Sequence, residues 1–225
     1  MINECLFLLH SLIIACTMLG LLLFGQAGLT AGVCLFTVIS NLFVTKQITL
    51  FGLETISTDV FTIGAVFGLN LIQEHFGLAA ARRAIACNFA LLVSYLVLSQ
   101  MHLAYIPNSY DTMHPLFEQI LSPMLRLVIA SVASYLISQY CDAYLYSTLK
   151  KYFHNKHLLM RNIISLSCSQ LLDTVFFTFV ALYGSVHSVW HIIVVSMTIK
   201  ILVVAINSPF IVLSKKILAY KHHEQ

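Results

Sequence analysis

Across 225 residues the chain is 59% apolar and only 9% charged, with twelve Lys and Arg against nine Asp and Glu and a net charge of +3. A water-facing surface cannot be covered by so few ions, so lipid must supply the outer phase. The small positive charge, with no basic residues interleaved with stacking aromatics, gives nucleic-acid binding no support. Cysteines at 5, 16, 34, 87, 141 and 168 all lie in apolar stretches without a Cys-x-x-Cys pair, which argues against a disulfide framework or a zinc site and for small packing residues.

A spanning helix needs about 20 mainly apolar residues. Seven segments supply that length, over 5–24, 28–45, 57–76, 84–104, 123–147, 161–184 and 189–214. They lack the alternation of barrel strands, so the expected fold is all-α, a polytopic membrane helix bundle. The first segment carries Glu4 in place of a basic n-region and is too long for a signal peptide, so it reads as a retained helix. With no visible repeat or linker, residues 1–225 form a single integral membrane domain. Pro107 and Pro115 fall in the longest connection and Pro123 at a helix start, while Pro209, inside the last segment, predicts a kink.

The connections carry Lys and Arg asymmetrically. Arg82 and Arg83 follow the third segment, Lys150, Lys151, Lys156 and Arg161 follow the fifth, and Lys215, Lys216 and Lys221 follow the seventh, whereas the alternate connections hold only Lys46. The positive-inside rule therefore places the C-terminus in the cytoplasm and, if all seven segments cross, the N-terminus outside.

Ionisable groups at depth are costly and mark functional sites. Asp173 is the thirteenth residue of its segment, roughly 18 Å from one face, and Lys200 the twelfth of the next, roughly 16 Å from the other, so the two charges share a depth. Gln170, Asp173, Thr174 and Phe177 recur at i, i+3, i+4 and i+7 and gather an amide, a carboxylate, a hydroxyl and a ring on one face. Lys200 and Asn207, seven apart, share a face with Ser196 nearby. Asn70 and Glu74 are four apart near the cytoplasmic end of the third segment. Arg126 lies one turn inside the external end of the fifth, and Gln139 and Asp142 share a face nearer its other end. For Arg126, Asp142 and Glu74, close to the interfaces, snorkelling or a local ion pair competes with a substrate role. His187 and His191 have the spacing of a metal pair but no third ligand nearby. There is no Walker A stretch, no His-Glu-x-x-His and no Gly-x-Ser-x-Gly, so no metal, cofactor or catalytic residue is assigned and the chain does not read as an enzyme.

Three stretches together carry a resemblance. Residues 59–85 (DVFTIGAVFGLNLIQEHFGLAAARRAI), 126–151 (RLVIASVASYLISQYCDAYLYSTLKK) and 165–184 (SLSCSQLLDTVFFTFVALYG), followed by Lys200 and Pro209, resemble the queuosine precursor transporter family, also called the vitamin uptake transporter family. The resemblance implies a six-helix transporter core over 28–225 with residues 1–27 an additional N-terminal helix, a bacterial inner-membrane location, and import of 7-deazaguanine bases for tRNA modification: 7-cyano-7-deazaguanine, 7-aminomethyl-7-deazaguanine or queuine. Asn70 stands where many members carry Asp. A guanine-like ring offers N–H groups to a carboxylate and a carbonyl to a lysine or amide, and aromatic rings can cover its faces. Asp173, Gln170, Lys200, Asn207, Asn70, Glu74 and Arg126 are the candidate substrate residues. The alternative is a non-transporting membrane subunit, such as the substrate-binding component of an ATP-driven importer. The sequence leaves the oligomeric state open, a homo-oligomer included.

Overall fold

In the computed structural model the backbone is described for residues 2–43, 46–50, 53–56, 58–121, 125–182 and 189–223. Side chains are described for the same residues except 47, 53–56, 125–128, 131, 181–182, 189, 191–192, 195, 208 and 216–223. Arg126 and His191 therefore have described backbones only, and His187 lies outside the described residues.

The chain runs α1 (Ile2–Leu22), α2 (Gly25–Phe43), β1 (Gln47–Leu50), β2 (Leu53–Ile56), α3 (Asp59–Phe76), α4 (Leu78–Leu103), α5 (His114–Leu121), α6 (Leu125–Tyr152), α7 (Leu158–Phe177) and α8 (Val189–His223). The last turn of α7 widens into a π-helical stretch, Thr178–Leu182. Each of the seven expected segments corresponds to one long helix, and the fold is an all-α bundle. Three details differ from expectation. The connection after α2 is an antiparallel hairpin with Gln47 opposite Ile56 and Leu50 opposite Leu53. The longest connection holds the short helix α5, whose first turn is capped by Asp111: its carboxylate accepts from the Met113 and His114 amides at 2.8 and 3.1 Å. The basic loop expected around Arg82 and Arg83 shrinks to Gly77, which alone takes a left-handed φ of 86°. Both arginines lie in the first turns of α4, because the run LAAARRAIA favours helix from its first residue.

Five helical stretches among the described residues are long and apolar enough to cross a membrane: Ile2–Leu22, Gly25–Phe43, Leu78–Leu103, Leu158–Val180 and Ser196–Lys215. The more polar α3 is shielded from lipid. Every residue from Ile63 to Gln73 is buried, and α3 packs on α1, α2, α4, α6 and α8. Close approach depends on Gly64 and Gly68. A Cβ on Gly64 would collide with Ile14 of α1, and one on Gly68 would fall 2.7 Å from Met18 Cε. Small residues at such crossings let helix backbones meet in lipid, where apolar burial supplies little drive.

Polarity runs inside out. Ile13, Leu35, Val97, Leu98, Ile137 and Val194 are exposed, while Asn88, Gln139, Asn162 and Asn207 are buried. That is the arrangement of a bundle whose solvent is lipid. The hairpin marks one end of it. Asn3 Nδ2 at the start of α1 donates to Thr49 O at 3.1 Å, and α3 begins just after the hairpin. A tight turn at Leu23 and Phe24 reverses the chain at the opposite end, closed by Leu23 N to Gly20 O at 3.1 Å and Phe24 N to Leu21 O at 3.0 Å.

Candidate functional site

Toward the hairpin end, six helices enclose a cavity of about 90 Å³, lined by Thr37, Ser40 and Asn41 of α2, Thr58, Asp59 and Thr62 at the head of α3, Leu92 of α4, Tyr135 of α6, Asp173 and Phe177 of α7, and Lys200 of α8. At 10–15 Å³ per water centre this has room for roughly six waters. Neither α1 nor α5 contributes to the lining. The contributing helices are α2, α3, α4, α6, α7 and α8, and α1 packs on α2, α3 and α8.

Asp173 and Lys200, separated by 27 positions in sequence, meet as an ion pair with Nζ 2.9 Å from Oδ2. The ammonium also donates to Thr174 Oγ1 at 3.1 Å. The other carboxylate oxygen of Asp173 accepts from Ser134 Oγ of α6 at 2.7 Å. Both oxygens of Asp173 are thus engaged across three helices, and the pair is held in one geometry. Around it the hydroxyls form a local network: Ser40 and Thr62 lie 3.0 Å apart, and Asn88 Nδ2 of α4 donates to Thr37 Oγ1 at 3.2 Å. Tyr135 and Phe177 supply aromatic surface. The lining thus offers a lysine, two carboxylates, an amide and hydroxyls beside two rings, the equipment for holding a flat polar heterocycle by its edge and faces.

The sequence model of the family described as "Putative vitamin uptake transporter" matches residues 57–214. A Bacillus subtilis (strain 168) protein named "Probable queuosine precursor transporter" is 33% identical over 198 residues, covering 87% of this chain and 86% of that protein. The chain belongs to the vitamin uptake transporter family. No solved structure matches this transporter.

Of the other sequence candidates, Gln170, Asn207, Asn70 and Glu74 lie outside the cavity lining of this transporter, and the Arg126 side chain is outside the described residues. Gln170 is buried one turn before Thr174, with no partner for its Oε1 among the described residues. Asn207, two turns beyond Lys200, is fully buried, with no partner for either amide atom among the described residues. Because α7 and α8 run antiparallel past the Asp173–Lys200 contact, these two amides continue from the cavity toward the opposite end. Asn70 donates from Nδ2 to Asn162 Oδ1 at 2.8 Å. Asp142 is fully buried and accepts from Ser165 and Ser169 of α7.

Glu74 forms a second centre. Its Oε1 meets Lys215 Nζ at 2.9 Å, and its Oε2 meets Lys150 Nζ at 3.3 Å and Arg161 Nη2 at 3.5 Å. Tyr146 donates to the same oxygen at 3.0 Å, and its ring lies 5.6 Å from the Arg161 guanidinium carbon. One carboxylate of α3 therefore ties α6, α7 and α8 together. It stands fifteen residues after Asp59, about 22 Å further along the helix. The cavity occupies one end of the bundle and this ionic knot the other.

Asp59, Thr37, Ser40, Asn41 and Thr62 were not singled out from sequence. Thr37, Ser40 and Asn41 do stand at i, i+3 and i+4 in a mainly apolar helix, a polar stripe that carries the signal. Asp59 reads as an ordinary acidic residue in a helix first turn.

Proposed function

We propose that this transporter imports queuosine precursors, 7-deazaguanine bases such as 7-cyano-7-deazaguanine, 7-aminomethyl-7-deazaguanine or queuine, across the bacterial inner membrane. The observation that carries the reading is the Asp173–Lys200 pair lining one cavity with Tyr135 and Phe177, in a chain one-third identical to a protein named for queuosine precursors. A charge pair fixed by Ser134 and Thr174 presents an acceptor and a donor side by side, complementary to the N–H and carbonyl edge of a guanine-like ring. Restoration of queuosine in tRNA tests it, in a host lacking precursor synthesis and its own importer, supplied with each base. Failure with every base, despite confirmed membrane expression, overturns the substrate class.

The orientation we propose puts the Glu74 end and the C-terminus in the cytoplasm. Nine Lys and Arg flank the cytoplasmic ends so assigned, against Lys46 in the connections at the other, with Arg126 in the first turn of α6. Lys150 and Lys215 converge on Glu74 at that end. The cavity then lies in the outer half of the bilayer, with the ionic knot between it and the cytoplasm. Cysteines introduced at Ser109 and His154 in a cysteine-free background are expected to react with an impermeant maleimide from outside only at 109. Reaction of the 154 position in intact cells would reverse the assignment.

A further inference from the structure

We propose that Asp59 reads a positively charged substituent on the substrate, so that this transporter prefers the amine-bearing 7-aminomethyl-7-deazaguanine over the neutral 7-cyano compound. The inference rests on the substrate class proposed above and assigns a selectivity within it.

Three observations carry it. Asp59 is only 4% exposed, yet its side chain lines the cavity. Its Oδ2 has no hydrogen-bond partner among the described residues. The neighbouring carboxylate is already engaged, since Asp173 takes Ser134 on one oxygen and Lys200 on the other. The lining therefore contains one neutralised acid–base pair and one carboxylate with a buried oxygen that no described residue partners.

Among the described residues the lining offers no second cation. The lining from α2 is Thr37, Ser40 and Asn41, that from α4 is Leu92, and that from α6 is Tyr135, all uncharged as side chains at neutral pH. Lys200 is shared with Asp173. With both acids and the lysine ionised the lining carries one net negative charge.

A carboxylate withdrawn from water without a full set of partners is costly, and a ligand ammonium relieves that cost through a charge-assisted hydrogen bond. A nitrile has no proton to donate and no charge to bring. As the first residue of α3, Asp59 also suits the positive end of the helix dipole. That role needs only a surface position, and does not account for a carboxylate enclosed in a cavity between the hydroxyl-bearing Thr58 and Thr62.

Binding of both bases to the purified, detergent-solubilised full chain tests the inference. Wild type is expected to bind the amine about tenfold or more tighter than the nitrile. Asp59→Asn should bring the ratio of the two affinities near one, while Asp59→Glu, which keeps the charge, should retain the preference. A wild-type ratio near one, or a ratio unchanged in Asp59→Asn, would overturn the assignment while leaving the substrate class standing. Binding of neither base by wild type would overturn the substrate class and this inference with it. If Asp59→Asn does not yield folded protein, the wild-type ratio and Asp59→Glu decide: loss of the preference in the folded glutamate variant overturns the role.

Discussion

Asp173→Asn combined with Lys200→Gln is expected to transport about tenfold or more below wild type at equal amounts of folded protein, because a charged hydrogen bond to substrate contributes about 1.5–3 kcal/mol. The double change separates two roles of the pair. Removing one partner strands the other as a buried charge, so a single Asp173→Asn or Lys200→Ala loses function for structural as well as binding reasons. Removing both relieves that burden, since Ser134, Thr174 and the introduced amides can still hydrogen-bond. If the pair served only to join α7 to α8, transport should recover with stability. Uptake at near wild-type affinity in the double variant would assign Asp173 and Lys200 to structure and empty the site of its two central residues.

The second large effect is expected at Glu74. Arg161 is fully buried beside Tyr146, and Glu74 is the carboxylate it faces. Glu74→Ala leaves that guanidinium uncompensated, a loss of roughly 3–5 kcal/mol by comparison with other broken buried pairs. Lys215→Ala should cost less than about 1 kcal/mol, because the Lys215 side chain is 48% exposed and its attraction is screened by water. Thermal unfolding in detergent measures both. Equal losses for the two variants, or a Glu74→Ala protein that melts with wild type, would mean that the knot does not hold the four helices together.

How much could be read from sequence follows from which signals are local. The seven long helices were legible because apolar length and polar punctuation are properties of contiguous residues, whereas the eight-residue α5 was not. The meeting of Asp173 with Lys200 was legible too, since two charges at matching depth in consecutive apolar segments have few other partners. Glu74 was harder. Its i, i+4 spacing grouped it with Asn70 on one face, but Asn70 turns to Asn162 while Glu74 reaches Lys150 and Lys215, residues read from sequence only as topology markers. Such convergence depends on how α3, α6 and α8 end in space, which no local pattern encodes. Asp59 was hidden by position: an acid at a helix start is ordinary, and only the packing of five other helices around it makes a chamber there. The hairpin escaped notice because strands of four residues carry too little alternation to stand out between long apolar runs.

Uptake by the chain alone tests the central claim most directly, because it separates a transporter from a subunit that needs an ATPase partner. Purified protein reconstituted into liposomes is offered labelled 7-aminomethyl-7-deazaguanine beside protein-free liposomes. Saturable accumulation that excess unlabelled base competes away is expected. Binding of the base by the reconstituted protein without entry into the lumen, at a protein density where entry would be seen, would contradict it.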